Sequence, residues 1–325
     1  MRKFTTAIAV LALVATTSLF AAGAKEGQKQ FVRIGTAGSG GNYYRLGAGM
    51  AALFNEKMQN VQVSIQATKG SPHNAELLAD KEIEVAFIGG DPAYEAYHNL
   101  GAFKDRPKDR FKNMRFVSHS YPNPQHFVAM SWAPEIKTLR DLKGKRVSVG
   151  MLGSHGEFLW KETMNILGWT YSDIKAEYTV HQATIDQVRN RQIDAVVWPD
   201  AIGSASIAEM MDTGFARLID MDEDVIKGMT QGMNFSYMIP ANTYAKQDKP
   251  VKTFAYSAII VAREDVSAEM IYQMTKHMYE NTDYLVNVHP IAKYMILKDA
   301  LNGQPTGMPL HPGAERYYRE KGVLK

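Results

Sequence analysis

The amino-acid sequence predicts an α/β protein built from two similar lobes, and three observations support that prediction. Apolar runs of strand length alternate with helix-like patterns along most of the 325 residues, which is typical of parallel strands covered by helices. The length suggests about two domains, because single hydrophobic cores stop growing near roughly 250–300 residues. A glycine-rich segment of one pattern also occurs once in each half of the chain, which predicts two lobes of related topology.

The first half of the chain is predicted to contain three strands and three helices. Val61, Val63 and Ile65 alternate with polar residues, as expected of a half-buried strand. Pro92 stands at the first position of a predicted helix, where its missing N–H group is not needed. The predicted strands are residues 31–35, 61–67 and 85–88, and the predicted helices are residues 44–58, 74–81 and 92–97.

The second half repeats this rhythm. The predicted strands are residues 147–150, 176–180 and 195–198, and the predicted helices are residues 156–167 and 184–191. A long apolar strand follows at 254–262, and amphipathic patterns predict C-terminal helices over 268–286 and 290–299. These last helices need a sheet to cover, so the chain is expected to return to the first lobe at its C-terminal end.

Two glycine-rich loops show the repeat most clearly. Residues 35–43 and 150–158 share the pattern G-x-x-G-S-x-G-x-aromatic, and each copy lies between a predicted strand and a predicted helix. A weaker match follows in the same order, between residues 81–88 and 191–198. The alternative is a chance similarity of two strand–helix turns. We interpret the ordered pairs as one repeated topology, with the two loops facing each other across a cleft.

Each loop has the composition of an anion site. Glycine allows the backbone to turn tightly and to approach a ligand, and the first N–H groups of the following helix are free and carry partial positive charge. Ser39 and Ser154 either add hydroxyl donors or cap these helices. Neither loop matches a phosphate loop, a dinucleotide fingerprint or a nucleophile elbow, because other residues fill the required positions.

The composition disfavours several other functions. The chain has 37 Lys+Arg and 34 Asp+Glu, so it has no strong positive field and we expect no nucleic-acid partner. It has no Cys, which rules out disulfides, a thiol nucleophile and Cys-ligated metals. His119 and His126 flank Pro122 and Pro124 with the spacing of a loop rather than of a metal site. We therefore expect no metal and no cofactor.

The N-terminus has the layout of a secretory signal peptide. Arg2 and Lys3 precede an apolar run over residues 8–20, and a small-x-small cleavage site ends at Ala24. The alternative is a membrane anchor, which needs about 20 apolar residues, and this run is shorter. We therefore expect residues 1–24 to be removed, leaving a soluble, exported monomer in the periplasm.

Several segments together resemble the TAXI family, the TRAP-associated extracytoplasmic immunogenic solute-binding proteins. The glycine-rich Tyr-Tyr loop and the C-terminal HPGAERYY segment are the most specific of them. In chain order, the segments are residues 34–44 (IGTAGSGGNYY), 68–74 (TKGSPHN), 90–97 (GDPAYEAY), 139–147 (LRDLKGKRV), 153–154 (GS), 239–244 (IPANTY) and 309–318 (PLHPGAERYY).

The resemblance implies a type II periplasmic binding fold, with two α/β lobes, two crossovers at a hinge and a ligand in the cleft. Residues 31–125 and 253–325 would form lobe 1 and residues 126–252 lobe 2, with separate sheets rather than one continuous sheet. It implies no catalysis. It implies instead that the protein captures a small organic acid, such as glutamate or a 2-oxo dicarboxylate, and delivers it to the membrane subunits of an ion-driven TRAP transporter.

Nine residues are predicted to form the ligand site. They stand in the glycine loops and at the ends of neighbouring strands, where open α/β sheets bind ligands. The polar candidates are Ser39, Asn42, Tyr44, Ser71, Asp91, Ser154 and His155, and the aromatic walls are Trp198 and Tyr256. Because Asp91 precedes a proline at a helix start, capping of that helix is an alternative role for it.

The chain departs from the family pattern at four cleft positions, which contain Lys69, Gly89-Gly90, His155 and Pro199. The identity of the ligand is therefore left open. His155 is expected to donate to a ligand carboxylate, so that binding takes up a proton and strengthens as the pH falls toward about 6. The alternative is that the imidazole only fills space at the edge of the cleft.

Two other functions stay open from the sequence. The same binding module would also suit an ATP-driven importer, and the membrane subunits encoded by neighbouring genes would distinguish the two. An exported enzyme on the same fold is the second alternative. It needs a positioned nucleophile or an acid–base pair, and no motif in the sequence places one.

Overall fold

A computed structural model describes residues 29–325, so the predicted signal peptide lies outside the described residues. The strands are β1 (Gln30–Gly35), β2 (Val61–Gln66), β3 (Val85–Gly89), β4 (Met114–Met130), β5 (Arg146–Ser148), β6 (Lys175–Glu177), β7 (Ala195–Pro199), β8 (Ala216–Leu218), β9 (Phe235–Ile239) and β10 (Val251–Arg263). The helices are α1 (Asn42–Lys57), α2 (Ser71–Ala79), α3 (Gly90–His98), α4 (His155–Leu167), α5 (His181–Arg189), α6 (Ala205–Asp212), α7 (Glu223–Met229), α8 (Ala268–Glu280), α9 (Thr282–Val288) and α10 (Pro312–Glu320).

Both lobes contain the same three-stranded parallel unit. The order is β2-β1-β3 in lobe 1 and β6-β5-β7 in lobe 2, and the middle strand of each unit is parallel to both neighbours. The inner strand then pairs antiparallel with a long strand, β3 with β10 and β7 with β4. This identical order confirms the repeated topology that the glycine loops predict.

Strands β4 and β10 pass from one lobe into the other. In β4, the part up to Pro124 pairs with β10, and the part from Gln125 onward pairs with β7. The two ladders follow one another along β4, so the strands of both lobes form one connected sheet. The expectation of two separate sheets is wrong, because the crossovers are strands and not loops. The predicted lobe boundaries, at 125/126 and 252/253, fall inside these two strands and stay predictions.

The segment around Pro122 and Pro124 is a strand, where the sequence predicts a loop. Proline removes a donor from the ladder, and β4 accommodates both prolines at the point where it changes partner. The Pro124 carbonyl accepts from the N–H of Asp200 at 3.1 Å, and the Gln125 carbonyl accepts from the Thr253 hydroxyl at 2.7 Å. Backbone groups near the crossing are thus satisfied by partners from outside the β4–β10 ladder.

The C-terminal helices return to lobe 1, as expected. Helix α8 packs on α10, α1 and β4. The predicted helix over 268–286 is interrupted at Asn281, whose φ of −127° is not helical, and the helix predicted over 290–299 consists of two 3-10 turns, Pro290–Tyr294 and Leu297–Asp299. Across the described residues, no helix combines the length and the apolar character that a membrane span needs.

A neutral histidine is buried at the crossing. His126 donates from Nδ1 to the Pro124 carbonyl at 3.1 Å, and its Nε2 accepts from the Tyr244 hydroxyl at 2.8 Å. Burial lowers the pKa of His126 to about 4. The ring is therefore neutral at pH 7, and protonating it would bury a charge inside the sheet.

We predict that His126→Gln reduces the acid sensitivity of the fold. An unfolded histidine takes up its proton near pH 6.5, so the stability that His126 contributes is complete above that pH and is lost as the pH falls toward about 4. Urea unfolding at about pH 7.5 and about pH 5 should show a loss of unfolding free energy that is roughly 1–2 kcal/mol smaller in the variant.

The test depends on the difference between His126→Gln and the wild type in the unfolding free energy that each loses. Burial raises the pKa of Glu95 to about 7, so the stability that Glu95 contributes to the fold increases as the pH falls over part of the same range. This contribution is the same in the variant and in the wild type. Equal losses in both proteins would contradict the role given to His126.

Candidate functional site

A cavity of about 110 Å³ lies between the lobes, and both glycine loops line it. Gly38 and Gly41 contribute from lobe 1, and Gly150 and Met151 contribute from lobe 2. A Cβ placed on Gly38 would lie 3.8 Å from the Cε atom of Met151, which is ordinary contact distance. The two loops therefore face each other across the cleft, as the repeat predicts.

The N-terminal residues of four helices line this cavity. Asn42 begins α1, Ser71 begins α2, His155 begins α4 and His181 begins α5. Free N–H groups and aligned peptide dipoles place partial positive charge at each of these ends, and such ends favour an anion. The sequence predicts two of them, at α1 and α4, and the structure adds the other two.

Buried aromatic side chains form the walls. Tyr43, Tyr121, Trp198 and Tyr256 are all buried and all line the cavity. The indole N–H of Trp198 has no hydrogen-bond partner among the described residues. The Tyr43 hydroxyl makes no hydrogen bond of good geometry there either, although the hydroxyls of Ser71 and Tyr256 lie close to it. Burial raises the pKa of Tyr43, so its hydroxyl stays a neutral donor.

Asn123 supplies an acceptor at the crossing of β4 and β10. Its side-chain amide donates to the Tyr256 hydroxyl, while its Oδ1 is buried without a partner among the described residues. Buried polar groups without partners are uncommon in native proteins. The Tyr43 hydroxyl, the Trp198 N–H and the Asn123 oxygen are therefore polar groups of cavity-lining residues whose hydrogen-bond partners the described residues do not supply.

Little fixed charge lines the cavity. Among the described lining residues, Lys69 is the one lysine or arginine, and it is exposed. Asp200 is the one carboxylate, and it is buried. Its Oδ1 accepts from the Asn42 side chain at 2.6 Å and from the Ala201 N–H at 2.8 Å. Because Asn42 begins α1 in lobe 1 and Asp200 follows β7 in lobe 2, this bond joins the lobes directly.

Both imidazole nitrogens of His155 are engaged by protein groups. Nε2 lies 3.0 Å from Oδ2 of Asp91, and Nδ1 lies 3.4 Å from Oγ of Ser71. A carboxylate only accepts, so the Nε2–H is directed at Asp91. The expectation that His155 donates to a ligand carboxylate is therefore not what this geometry shows, and the expected proton uptake loses its structural basis.

Six of the nine predicted site residues line the cavity. They are Asn42, Ser71, Ser154, His155, Trp198 and Tyr256. Asp91 lies behind the imidazole and is connected to the cavity through it. Binding by any of these residues stays a prediction, but the structure brings them to one place.

Ser39 and Tyr44 do not line the cavity, and the expectation for them is corrected. A tight turn, closed by the bond from the Gly41 N–H to the Gly38 carbonyl at 2.9 Å, leaves Ser39 exposed at its tip. Successive residues on a helix point roughly 100° apart, so Tyr43 faces the cavity and Tyr44 turns away from it.

Ser154 lines the cavity and also caps α4. Its hydroxyl accepts from the N–H of Glu157 at 3.3 Å, which is the capping role that the sequence left as an alternative. The serines of the two glycine loops therefore occupy different positions, in spite of the shared pattern.

Besides Lys69, five polar or aromatic lining residues stand outside the nine predicted: Tyr43, Tyr121, Asn123, His181 and Asp200. Two of them lie on β4, whose prolines give this segment the sequence pattern of a loop. Asp200 directly follows β7, and that position at the carboxyl end of a strand is the signal that identifies it.

The fold is that of the type II periplasmic binding proteins. PhnD1 from Prochlorococcus marinus, in complex with methylphosphonate, shares it at a TM-score of 0.57 and 13% identity, with 91% of this chain and 100% of that chain covered. A binding protein component of an ABC phosphonate transporter from Pseudomonas aeruginosa shares it at a TM-score of 0.54 and 13% identity, with 83% and 81% covered.

The chain belongs to the NMT1-like family, whose model matches residues 34–322. The identities to the two solved structures are low, so that likeness shows the fold alone. None of these descriptions names the TAXI family or a TRAP transporter, so that finer assignment gains no support from the comparisons.

We predict that Ser154→Ala lowers the free energy of unfolding by about 1 kcal/mol, because removal of an N-cap hydroxyl leaves a helix N–H group without its partner. Ser39→Ala is the matched control, since Ser39 is exposed at the equivalent position of the other loop and surface changes stay within about 0.5 kcal/mol. Urea unfolding measures both variants. Equal effects would contradict the different placement of the two serines.

Proposed function

We propose that this chain is an exported solute-binding protein that captures a small organic acid between its lobes and delivers it to a membrane transporter. The convergence of four helix N-termini on one interlobe cavity is the observation that carries the proposal. Together with the unpartnered donors of Tyr43 and Trp198, these ends provide neutral N–H and O–H groups that favour an anion without an arginine.

The nearby carboxylates are compatible with an anionic solute, because each is engaged by a donor from the opposite lobe. Asp200 accepts from Asn42, and Asp91 accepts from His155. What is left for the solute is a set of donors and a few acceptors, among them Oδ1 of Asn123 and Oδ2 of Asp200, since both hydrogen bonds of that carboxylate go to Oδ1. An acid that carries an amino or hydroxyl donor beside its carboxylate complements this set better than a 2-oxo acid, so glutamate is preferred to a 2-oxo dicarboxylate.

The structural neighbours extend the range of candidate solutes. PhnD1 holds methylphosphonate, and the protein from Pseudomonas aeruginosa is described as part of a phosphonate transporter. A phosphonate, like a carboxylate, presents anionic oxygens to N–H donors. Because these proteins share only the fold with this chain, phosphonates enter as further compounds to be tested.

The comparisons favour an ATP-driven importer as the membrane partner. One neighbour is described as a component of an ABC transporter, whereas the ion-driven TRAP transporter is supported by the sequence resemblance alone. Solute uptake into membrane vesicles that requires ATP supports the importer. Uptake that collapses together with the ion gradient supports the TRAP transporter instead.

Ser71, His155 and Asp91 are connected in the order of a hydrolase triad. The 3.4 Å between Ser71 Oγ and Nδ1 of His155 is nevertheless long for a bond that activates a nucleophile, and the Ser71 oxygen already accepts from the Gly89 N–H at 2.9 Å. We infer that the hydrogen-bonded side chains of Ser71, His155 and Asp91 position the lobes and that the chain binds its solute without converting it.

We predict that protein stripped of carried-over solute, by denaturation and refolding, gains thermal stability from at least one small amino, hydroxy or 2-oxo acid, because a ligand that binds only the folded state raises the unfolding midpoint. The compound should be recovered unchanged by chromatography. Stabilisation by none of the organic acids and phosphonates, or turnover of the stabilising compound, would contradict the proposal.

A matched pair of variants locates the binding. Asn42→Ala removes the donor that Asp200 receives from lobe 1, so calorimetric titration with the compound found above should show affinity reduced by about tenfold. Ser39→Ala, in the same loop but outside the cavity, should bind as the wild type does. An equal effect of both changes would place the solute elsewhere.

A further inference from the structure

One side chain of lobe 2 is buried among residues of lobe 1. His155 begins α4, yet its ring nitrogens lie 3.0 Å from Asp91 Oδ2 and 3.4 Å from Ser71 Oγ. The ring centroid lies 4.1 Å from that of Tyr256 on β10. The side chains of His155 and Asp91 are 6% and 9% exposed, so the contact excludes most water.

Gly89 makes the room for this ring. A Cβ at position 89 would lie 2.2 Å from Cε1 of His155, far inside contact distance. The φ of Gly89 is −74°, which any residue adopts, so the backbone does not require glycine here. The residue is small because the imidazole occupies the space that a side chain would take.

Both ring nitrogens meet polar groups of lobe 1. The Asp91 carboxylate accepts the Nε2–H. The Ser71 oxygen, which accepts from the Gly89 N–H at 2.9 Å, lies 3.4 Å from Nδ1 and has both a proton and a lone pair to offer it. Both partners come from lobe 1.

Asp91 depends on this contact when the lobes are closed. In the described structure His155 is the side chain that donates to its carboxylate, and Oδ1 of Asp91 is buried without a partner among the described residues. Closure without the imidazole would bury a carboxylate that has no side-chain donor, which is strongly unfavourable. The ring therefore favours the closed arrangement over the open one.

We propose that lobe 1 carries a specific binding site for an imidazole ring, formed by Ser71, Gly89, Asp91 and Tyr256, which we call the imidazole socket. Docking of His155 into this socket holds the lobes closed over the solute, and we call this contact the clasp. The clasp rests on the proposed function only in that the closed cleft is the form that holds solute. The socket is defined by protein atoms and is tested without any solute.

Free imidazole is the probe. His155→Ala leaves the socket vacant, so imidazole should raise the thermal unfolding midpoint of this variant in a saturable way. Wild type, whose socket is filled, should show no such rise. His181→Ala is the matched control, because His181 also lines the cavity but is bonded to Ser206 of its own lobe. An equal response in all three proteins would overturn the proposal.

Two further measurements identify the socket. 1-Methylimidazole lacks the N–H that Asp91 accepts, and its affinity for His155→Ala should be at least about tenfold lower. In the double variant Gly89→Ala with His155→Ala, the added methyl group occupies the place of the ring and should abolish the imidazole effect. If His155→Ala does not fold, His155→Gly provides the same vacancy. Equal binding of both compounds, or binding that survives Gly89→Ala, would overturn the proposal.

The clasp and the proposed function fail in different ways. If imidazole binds His155→Ala but no acid or phosphonate binds the wild type, the socket stands and the proposed function is wrong. If an organic acid binds the wild type but imidazole has no effect on any variant, the function stands and the socket is wrong.

Discussion

Two hydrogen-bonded strands join the lobes of this protein, and the cavity forms at the place where those strands pair. Tyr256 on β10 lies opposite Asn123 on β4, and both residues line the cavity. Because β4 and β10 are hydrogen-bonded to each other at this crossing, it holds the lobes together at one edge of the cleft. Contacts made elsewhere, such as those of Asn42 with Asp200 and of His155 with Asp91, join the lobes across the cleft.

The electrostatics of the site follow from the repeated topology. Each lobe begins with a strand, a glycine loop and a helix, so two lobes that face each other bring helix N-termini together. Partial charges at several helix ends, together with the neutral donors of Tyr43 and Trp198, provide for an anion. The carboxylates of Asp200 and Asp91 instead accept from Asn42 and His155 of the opposite lobe, so these buried aspartates are compatible with the anion site that we propose.

Much of the fold was predictable from the sequence because its signals are local. The alternation of apolar and polar residues identified β2, and the two glycine-rich loops predicted the repeated strand order that the sheet shows. Signals failed where a tertiary contact overrides them: β4 passes through Pro122 and Pro124 and resembles a loop, which also concealed Tyr121 and Asn123. The partner of His155 is 64 residues away in sequence, so no spacing rule indicates that the ring docks on Asp91.

The central claim is that the lobes close over a bound solute, and a distance between the lobes tests it most directly. The chain has no Cys, so Gln62→Cys and Lys175→Cys, at exposed positions on the outermost strands β2 and β6, provide unique sites for two spin labels. Double electron–electron resonance of stripped protein should show a longer or broader distance distribution, which becomes shorter and narrower when a stabilising acid is added. An identical distribution with and without that acid would contradict the account.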